Sequence, residues 1–264
     1  MADTEKKQFF QSWETLSASE NFDEMRKKTI KYNADAVQDA EYAIIARKLV
    51  KHYDDGQVKA LNGVDLLVKK GEYLAILGPS GSGKSTLMHI ISTLDKPTSG
   101  EILINGQNTS KIRNLHYLRA KTIGFIFQLH NLIPSLSLVD NVMIPLTPLK
   151  ISLKEKKERA QEALEAVGLE HRMHHVPTKV SGGERQRTAF ARALVNNPDI
   201  ILGDEPTGNV DTKTGAKLLN LLLKIKEERK TTLIIVTHNP EIAYPADHEI
   251  YIRDGIIGDE KFKQ

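Results

Sequence analysis

Leu74-Ala-Ile-Leu77-Gly78-Pro79-Ser80-Gly81-Ser82-Gly83-Lys84-Ser85-Thr86 is the stretch on which the reading of this chain turns. Leu74–Leu77 is a short continuous apolar run, the signature of a strand buried on both faces. A glycine-rich turn follows, and a helix is predicted from Ser85. The residues match G-x-x-x-x-G-K-[ST], in which glycines let successive backbone N–H groups close on phosphate oxygens at the positive end of a helix. Lys84 is placed to reach the β- and γ-phosphates and Ser85 to ligate Mg²⁺. Strand, loop and helix in this order predict a nucleoside triphosphate site.

A second element, Ile200-Ile-Leu-Gly-Asp204-Glu205, is an apolar strand ending in two acids. In open α/β sheets that end is the ligand edge. Asp204 is suited to Mg²⁺, held through water, and Glu205 to polarising an attacking water. Alone, the pair also reads as surface carboxylates.

Around these motifs the chain alternates strand and helix. Ala43–Leu49 and Leu61–Val68 are β-rich, with a polar turn at Asp54-Asp55-Gly56, and Glu101–Ile104 precedes the hairpin dipeptide Asn105-Gly106. The middle is helical. Ser152 with Glu155, and Ser181 with Glu184, have capping-box spacing, and Gly168 and Pro198 are stop signals. A strand Ile200–Leu202, a helix around Lys213–Glu228 and a strand Thr232–Val236 follow. The pattern predicts an α/β fold with a parallel sheet covered by helices on both faces.

Composition removes whole classes of chemistry. The 264 residues contain no cysteine, which excludes disulfides, cysteine metal sites and thiol catalysis. With 37 basic and 34 acidic side chains the formal charge is +3, short of a dedicated nucleic-acid binder. No apolar run approaches the ~20 residues that span a bilayer, and the N-terminus does not read as a signal peptide. A soluble intracellular chain is expected. Residues 1–41 stand apart, with nine acids, six bases, no glycine or proline, and Phe9, Phe10, Trp13 and Leu16 near one helical face. They read as an extension packed on its own domain or as a docking segment.

Between the two nucleotide motifs lies Val180-Ser181-Gly182-Gly183-Glu184-Arg185-Gln186-Arg187. With it, residues 43–258 resemble the ATP-binding cassette (ABC) ATPase family. Ser181 and Glu184 could merely cap a helix, but two glycines in a first turn are costly unless something must approach closely. The sequence departs from the family at Val180, usually leucine, and Glu184, usually glutamine. The resemblance implies a P-loop NTPase with a RecA-like parallel core, an antiparallel β subdomain and a helical signature subdomain at about 129–196, all within 42–264. Tyr53 matches the aromatic that stacks on adenine, or is an ordinary strand tyrosine. Gln128 matches the glutamine that touches Mg²⁺ and senses a membrane partner. Asp211 matches the loop linking two ATP sites, or caps the next helix. His238 matches the switch histidine on the γ-phosphate, beside a helix entry at Asn239-Pro240.

By resemblance, Tyr53, the loop Gly78–Thr86, Gln128, Asp204, Glu205 and His238 of one copy share each ATP with Ser181, Gly182, Gly183 and Glu184 of a second copy. Pro97–Gly100, Phe127–Pro134, Asp140–Val142 and Asp204-Glu-Pro-Thr-Gly-Asn209 look like the subgroup serving macrolide-export and lipoprotein-release systems. There the ATPase is a separate homodimer driving a membrane permease from the cytoplasmic face, with no nucleic acid involved. Gln128–Leu146 is the expected permease contact, or interior packing. The alternative is a soluble ABC ATPase of DNA repair or translation, whose usual coiled-coil inserts or tandem cassettes are absent. His171, His174 and His175 lack partners of metal-site type.

Overall fold

A computed structural model of the chain describes residues 39–262. The expected extension therefore lies outside the described residues, apart from its last three. The described residues form two compact units, one running up to residue 112 and resuming at 234, the other spanning residues 113–233.

The first unit begins with β1 (Tyr42–Tyr53) and β2 (Val58–Lys69), both longer than their apolar cores suggested. With β4 (Ser99–Ile104) and the two-residue β5 (Gln107–Asn108) they form an antiparallel sheet in the order β2-β1-β4-β5. Register follows the apolar face. Ile45 sits opposite Leu67 on one side and Leu103 on the other, and these three are buried together under Tyr42. Asn105 and Gly106 both take positive φ, as the β4–β5 turn requires.

The unit's other strands are β3 (Tyr73–Leu77), wholly buried, β9 (His248–Arg253) and β10 (Ile256–Phe262). β3 pairs in parallel with β9, Ile76 opposite Ile250, and β9 turns through Asp254-Gly255 into antiparallel β10. On its other side β3 neighbours β8 (Thr232–Val236), inside which the border between the units falls. The helices are α1 (Lys84–Ile91), beginning one residue before its predicted start, and the single turn α7 (Pro240–Ala243).

The second unit contains β6 (Ile123–Ile126) and β7 (Ile200–Asp204). They pair in parallel, Phe125 opposite Leu202, and β7 neighbours the start of β8. Its helices are α2 (Leu115–Thr122), α3 (Leu138–Met143), α4 (Leu153–Ala166), α5 (Gly182–Leu194) and α6 (Thr212–Arg229). α3, α4 and α5 pack on one another. Ala160 and Leu164 of α4 and Leu218, Leu222 and Ile225 of α6 are buried at the spacing expected of amphipathic helices. At the start of α4 only half the expected capping box forms. Ser152 Oγ accepts from Glu155 N at 3.1 Å, but the Glu155 carboxylate pairs with Arg159 at 2.6 Å.

Candidate functional site

In the first unit, β3 delivers the chain into Gly78, where only glycine fits. Its φ is +141°, and a Cβ there would lie 2.0 Å from the carbonyl oxygen of Ile252 on β9. Gly83 repeats the constraint, with φ +105° and 2.4 Å to the carbonyl of Ala60 on β2. The loop is braced by Gly255 N donating to Ser82 O at 3.0 Å, and Asn62 N donating to Gly255 O at 2.8 Å.

Gly83 is also the N-cap of α1, so no side chain caps that helix. Every other α-helix among the described residues is capped by a side chain, namely Asn114, Ser137, Ser152, Ser181, Asp211 and Asn239. An N-terminus without a side-chain acceptor keeps its backbone donors and dipole for an external anion. Lys84 curls back over the loop, its Nζ donating to the carbonyls of Gly78 at 2.8 Å and Pro79 at 2.6 Å. A lysine held on two carbonyls can exchange them for phosphate oxygens without leaving the loop. Pro79, Ser80, Gly81 and Ser85 are exposed on this rim, Thr86 half so, and Ser82 is buried.

Tyr53 ends β1, half-buried. Its hydroxyl donates to Asp95 Oδ2 at 2.8 Å, while Lys51 Nζ pairs with Asp95 Oδ1 at 2.8 Å and lies 4.7 Å from the ring centroid. The Thr86 side chain, in the first turn of α1, also reaches that hydroxyl. Burial, then the bond to Asp95, pushes the phenol above its ordinary value. Burial alone would lift the Asp95 carboxyl, but Lys51, Tyr53 and the Lys96 N–H outweigh it and hold it low.

His238 is exposed on the loop leaving β8. The residue before it, Thr237, donates its N–H to Ile76 O at 3.2 Å, which fixes this loop beside the strand that feeds Gly78. Asn239 accepts from Glu241 N at 2.9 Å, so the expected helix entry is present.

In the second unit, Asp204 is the last residue of β7, and Glu205 follows at φ +44°. A non-glycine residue in the left-handed region stores about 1–2 kcal/mol, and such residues cluster at working sites. Gln186 on α5, fully buried, donates its Nε2 to Pro206 O in the same turn. Gln128 is exposed in the turn after β6, and its carbonyl accepts from Asn209 Nδ2. Two further left-handed residues follow, His130 (φ +62°) and Asn131 (φ +48°). Their carbonyls accept both arms of the buried Arg192 guanidinium, at 2.6 and 2.7 Å. Burial pushes Arg192 down to about 10, which leaves it charged at neutral pH. Farther along, fully buried Asn141 accepts from Ile133 N at 2.7 Å and donates to the carbonyls of Ile133, Leu136 and Ser137. The Gln128–Leu146 stretch divides by side. Leu138, Val139, Val142 and Leu146 are buried, while Leu129 (75 % exposed), Ile133 and Ile144 face outward.

The Val180–Arg187 motif opens α5 with a complete capping box. Ser181 Oγ accepts from Glu184 N at 3.2 Å, and Glu184 Oε2 accepts from Ser181 N at 2.7 Å. Glu184 Oε1 meets Arg172 at 3.2 Å, so both carboxylate oxygens are engaged within the chain. The bonds to Ser181 hold the carboxyl below its ordinary value. Gly182 and Gly183 follow with no positive φ, and a Cβ on either would meet nothing closer than 3.8 Å. Asp211 caps α6, accepting from Thr214 N at 3.0 Å, and the Thr214 side chain, followed by that N–H, lowers its carboxyl.

Tyr53, the loop Gly78–Thr86 and His238 thus lie in the first unit, and Gln128, Ser181–Glu184, Asp204, Glu205 and Asp211 in the second. Sequence reading missed Arg192 and the Lys51–Asp95 clamp, and it quoted Gln186 and Asn141 inside motifs without giving either a role of its own. One signal existed, an arginine set inside Thr188-Ala-Phe-Ala-Arg192-Ala.

The family described as ABC transporter matches residues 61–208. An uncharacterized ABC transporter ATP-binding protein of Thermotoga maritima is 51 % identical over 211 residues, 78 % of this chain and 90 % of the relative. The lipoprotein-releasing system ATP-binding protein LolD of Legionella pneumophila (strain Lens) is 45 % identical over 218 residues, 81 % and 96 % of the two chains. A solved structure titled as a dimeric, post-hydrolysis state of the ATP-binding cassette MJ0796 bound to ADP and Pi superposes with a TM-score of 0.79 at 42 % identity, covering 84 % of this chain and 99 % of that one. With the family model matching residues 61–208 and relatives at 45–51 % identity over most of their length, the chain belongs to the ABC transporter family.

Proposed function

We propose that this chain is the ATP-hydrolysing subunit of an ABC transporter, two copies of which close over two ATP molecules and drive a separate integral membrane subunit. The observation that carries this reading is the pair Gly182 and Gly183. Glycine in a helix costs about 1 kcal/mol against alanine. Here neither backbone angle nor neighbouring atoms of the chain require it. The smallness of these residues answers to something outside the chain, and the face of a second copy carrying the γ-phosphate supplies it.

The roles follow from the groups present. The uncapped N-terminus of α1 and Lys84 bind the phosphates, and Tyr53 stacks on the base. The donor set for Mg²⁺, the Ser85 hydroxyl, the Asp204 carboxylate and the Gln128 side chain, is all oxygen, which suits that hard cation. When bound, Mg²⁺ neutralises charge on the phosphates. Glu205 accepts a proton of the attacking water, whose oxygen approaches the γ-phosphorus in line while the bond to ADP breaks. His238 contacts the γ-phosphate. From the second copy, Ser181 presents its hydroxyl at the helix entry, while Glu184 holds that cap in place and Asp211 positions the loop between sites. Loss of the γ-phosphate removes the contact that joins the copies, and they part.

The exposed Leu129, Ile133 and Ile144 form the docking face for the membrane subunit at the cytoplasmic surface. Similarity to LolD favours a lipoprotein-releasing type of system. No helix among the described residues is long and apolar enough to cross a membrane. The test uses Glu205→Gln with ATP as bait on detergent-solubilised native membranes. Recovery of an integral membrane protein in stoichiometric yield supports the reading. Recovery of only soluble or nucleic-acid-bound proteins assigns the ATPase to soluble work.

A further inference from the structure

We infer that Gln186, Arg192 and Asn209 are positioning residues that fasten the loop after β6, the acidic turn after β7 and helix α5 into one rigid piece. Three side chains close a triangle. Arg192 joins α5 to the loop through the carbonyls of His130 and Asn131. Gln186 joins α5 to the acidic turn through the carbonyl of Pro206. Asn209 joins that turn to the loop through the carbonyl of Gln128.

The bonds fall where the backbone is strained. Arg192 holds the carbonyls of two left-handed residues, and Gln186 holds the carbonyl immediately after left-handed Glu205. Strained conformations persist only where their surroundings over-determine them. Arg192 and Gln186 are buried, and the Arg192 guanidinium also lies 5.9 Å from the Phe127 ring centroid. A buried cation seated on two carbonyls, where a leucine would pack, is a device for fixing geometry rather than adding stability.

A closed triangle has a mechanical property that one or two bonds lack, because no corner moves alone. Displacement of the exposed Leu129–Ile133 rim carries the Gln128 loop, the Glu205 turn and the start of α5 together. This rests on the proposed roles of Glu205 and Ser181 for its meaning, but the rigidity itself does not.

The test is amide hydrogen exchange on the nucleotide-free full-length protein, which reads the rigidity whether or not the ATPase assignment stands. Arg192→Gln must speed exchange by about threefold or more in residues 204–210, to which Arg192 makes no hydrogen bond. Gln186→Met must do the same in residues 128–134, to which Gln186 makes no hydrogen bond. Asn209→Ala, an exposed change that leaves both cores intact, must loosen both segments. Arg192→Lys, with one ammonium for two carbonyls, must fall between Arg192→Gln and wild type. In steady-state turnover Asn209→Ala must lower kcat about tenfold with KM for ATP little changed. Exchange changes confined to the segment each residue bonds would overturn the proposal, as would an unchanged kcat in a wild-type-active protein.

Discussion

Ser181 and Glu184 hold each other at the entrance to α5, backbone to side chain in both directions, at 3.2 and 2.7 Å. The family's usual glutamine could make the same two bonds, so the acid adds charge to an unchanged geometry. That charge makes the entrance pH-dependent. The folded carboxyl sits below its ordinary value of 4.5, so its contribution to stability is complete above that value and is lost as pH falls through the lowered folded one. Thermal melts of wild type and Glu184→Gln should run parallel at neutral pH and converge as the medium is acidified below the ordinary value. Glu184→Ala should lose about 1 kcal/mol at neutral pH.

Gly183→Ala separates folding from function. The added Cβ meets only a Val210 methyl at 4.0 Å. The isolated protein should melt at the same temperature or higher, by up to about 1 kcal/mol. ATP turnover should fall about 10²-fold, because the facing copy can no longer approach. Parallel loss of melting temperature and activity would place the glycine's role inside the chain.

The phosphate loop makes the opposite prediction. Gly83→Ala forces a left-handed alanine against the Ala60 carbonyl and should cost about 3 kcal/mol. Gly81→Ala shares the positive φ, +78°, but meets nothing within 4 Å, and should cost about 1 kcal/mol. Denaturant midpoints rank the two.

At Tyr53 the ring and the hydroxyl have separate tasks. Tyr53→Phe keeps the ring and removes one of the three partners of Asp95, and should raise KM for ATP by about threefold. Tyr53→Ala removes the stacking surface, worth about 1–3 kcal/mol, and should raise KM tenfold or more. Lys84→Ala should lower kcat/KM by about 10²–10³ with a melting temperature near wild type.

What was legible in the sequence was what neighbouring residues decide. Leu74–Leu77 ran unbroken because β3 is buried on both faces, and the glycines of the loop were spaced for turns only glycine makes. Ser181 and Glu184 announced their cap three residues apart. Ser152 and Glu155 share that spacing, yet Arg159, one turn on, won the carboxylate, since charge pairing on an exposed helix competes with a backbone donor. The left-handed backbone at Glu205, His130 and Asn131 left no mark, because residues far along the chain stabilise it. Arg192 lies more than sixty positions from the carbonyls it holds. Asp95 is likewise 42 positions from Tyr53. Such partners become visible only once the strands and helices are in place.

The face-to-face ATP dimer is tested most directly by the molar mass of Glu205→Gln in solution. By light scattering, the protein should be monomeric without nucleotide and twice the chain mass at saturating ATP with Mg²⁺, and Gly183→Ala in the same background should return it to a monomer. A Glu205→Gln protein that binds ATP yet stays monomeric would contradict the account.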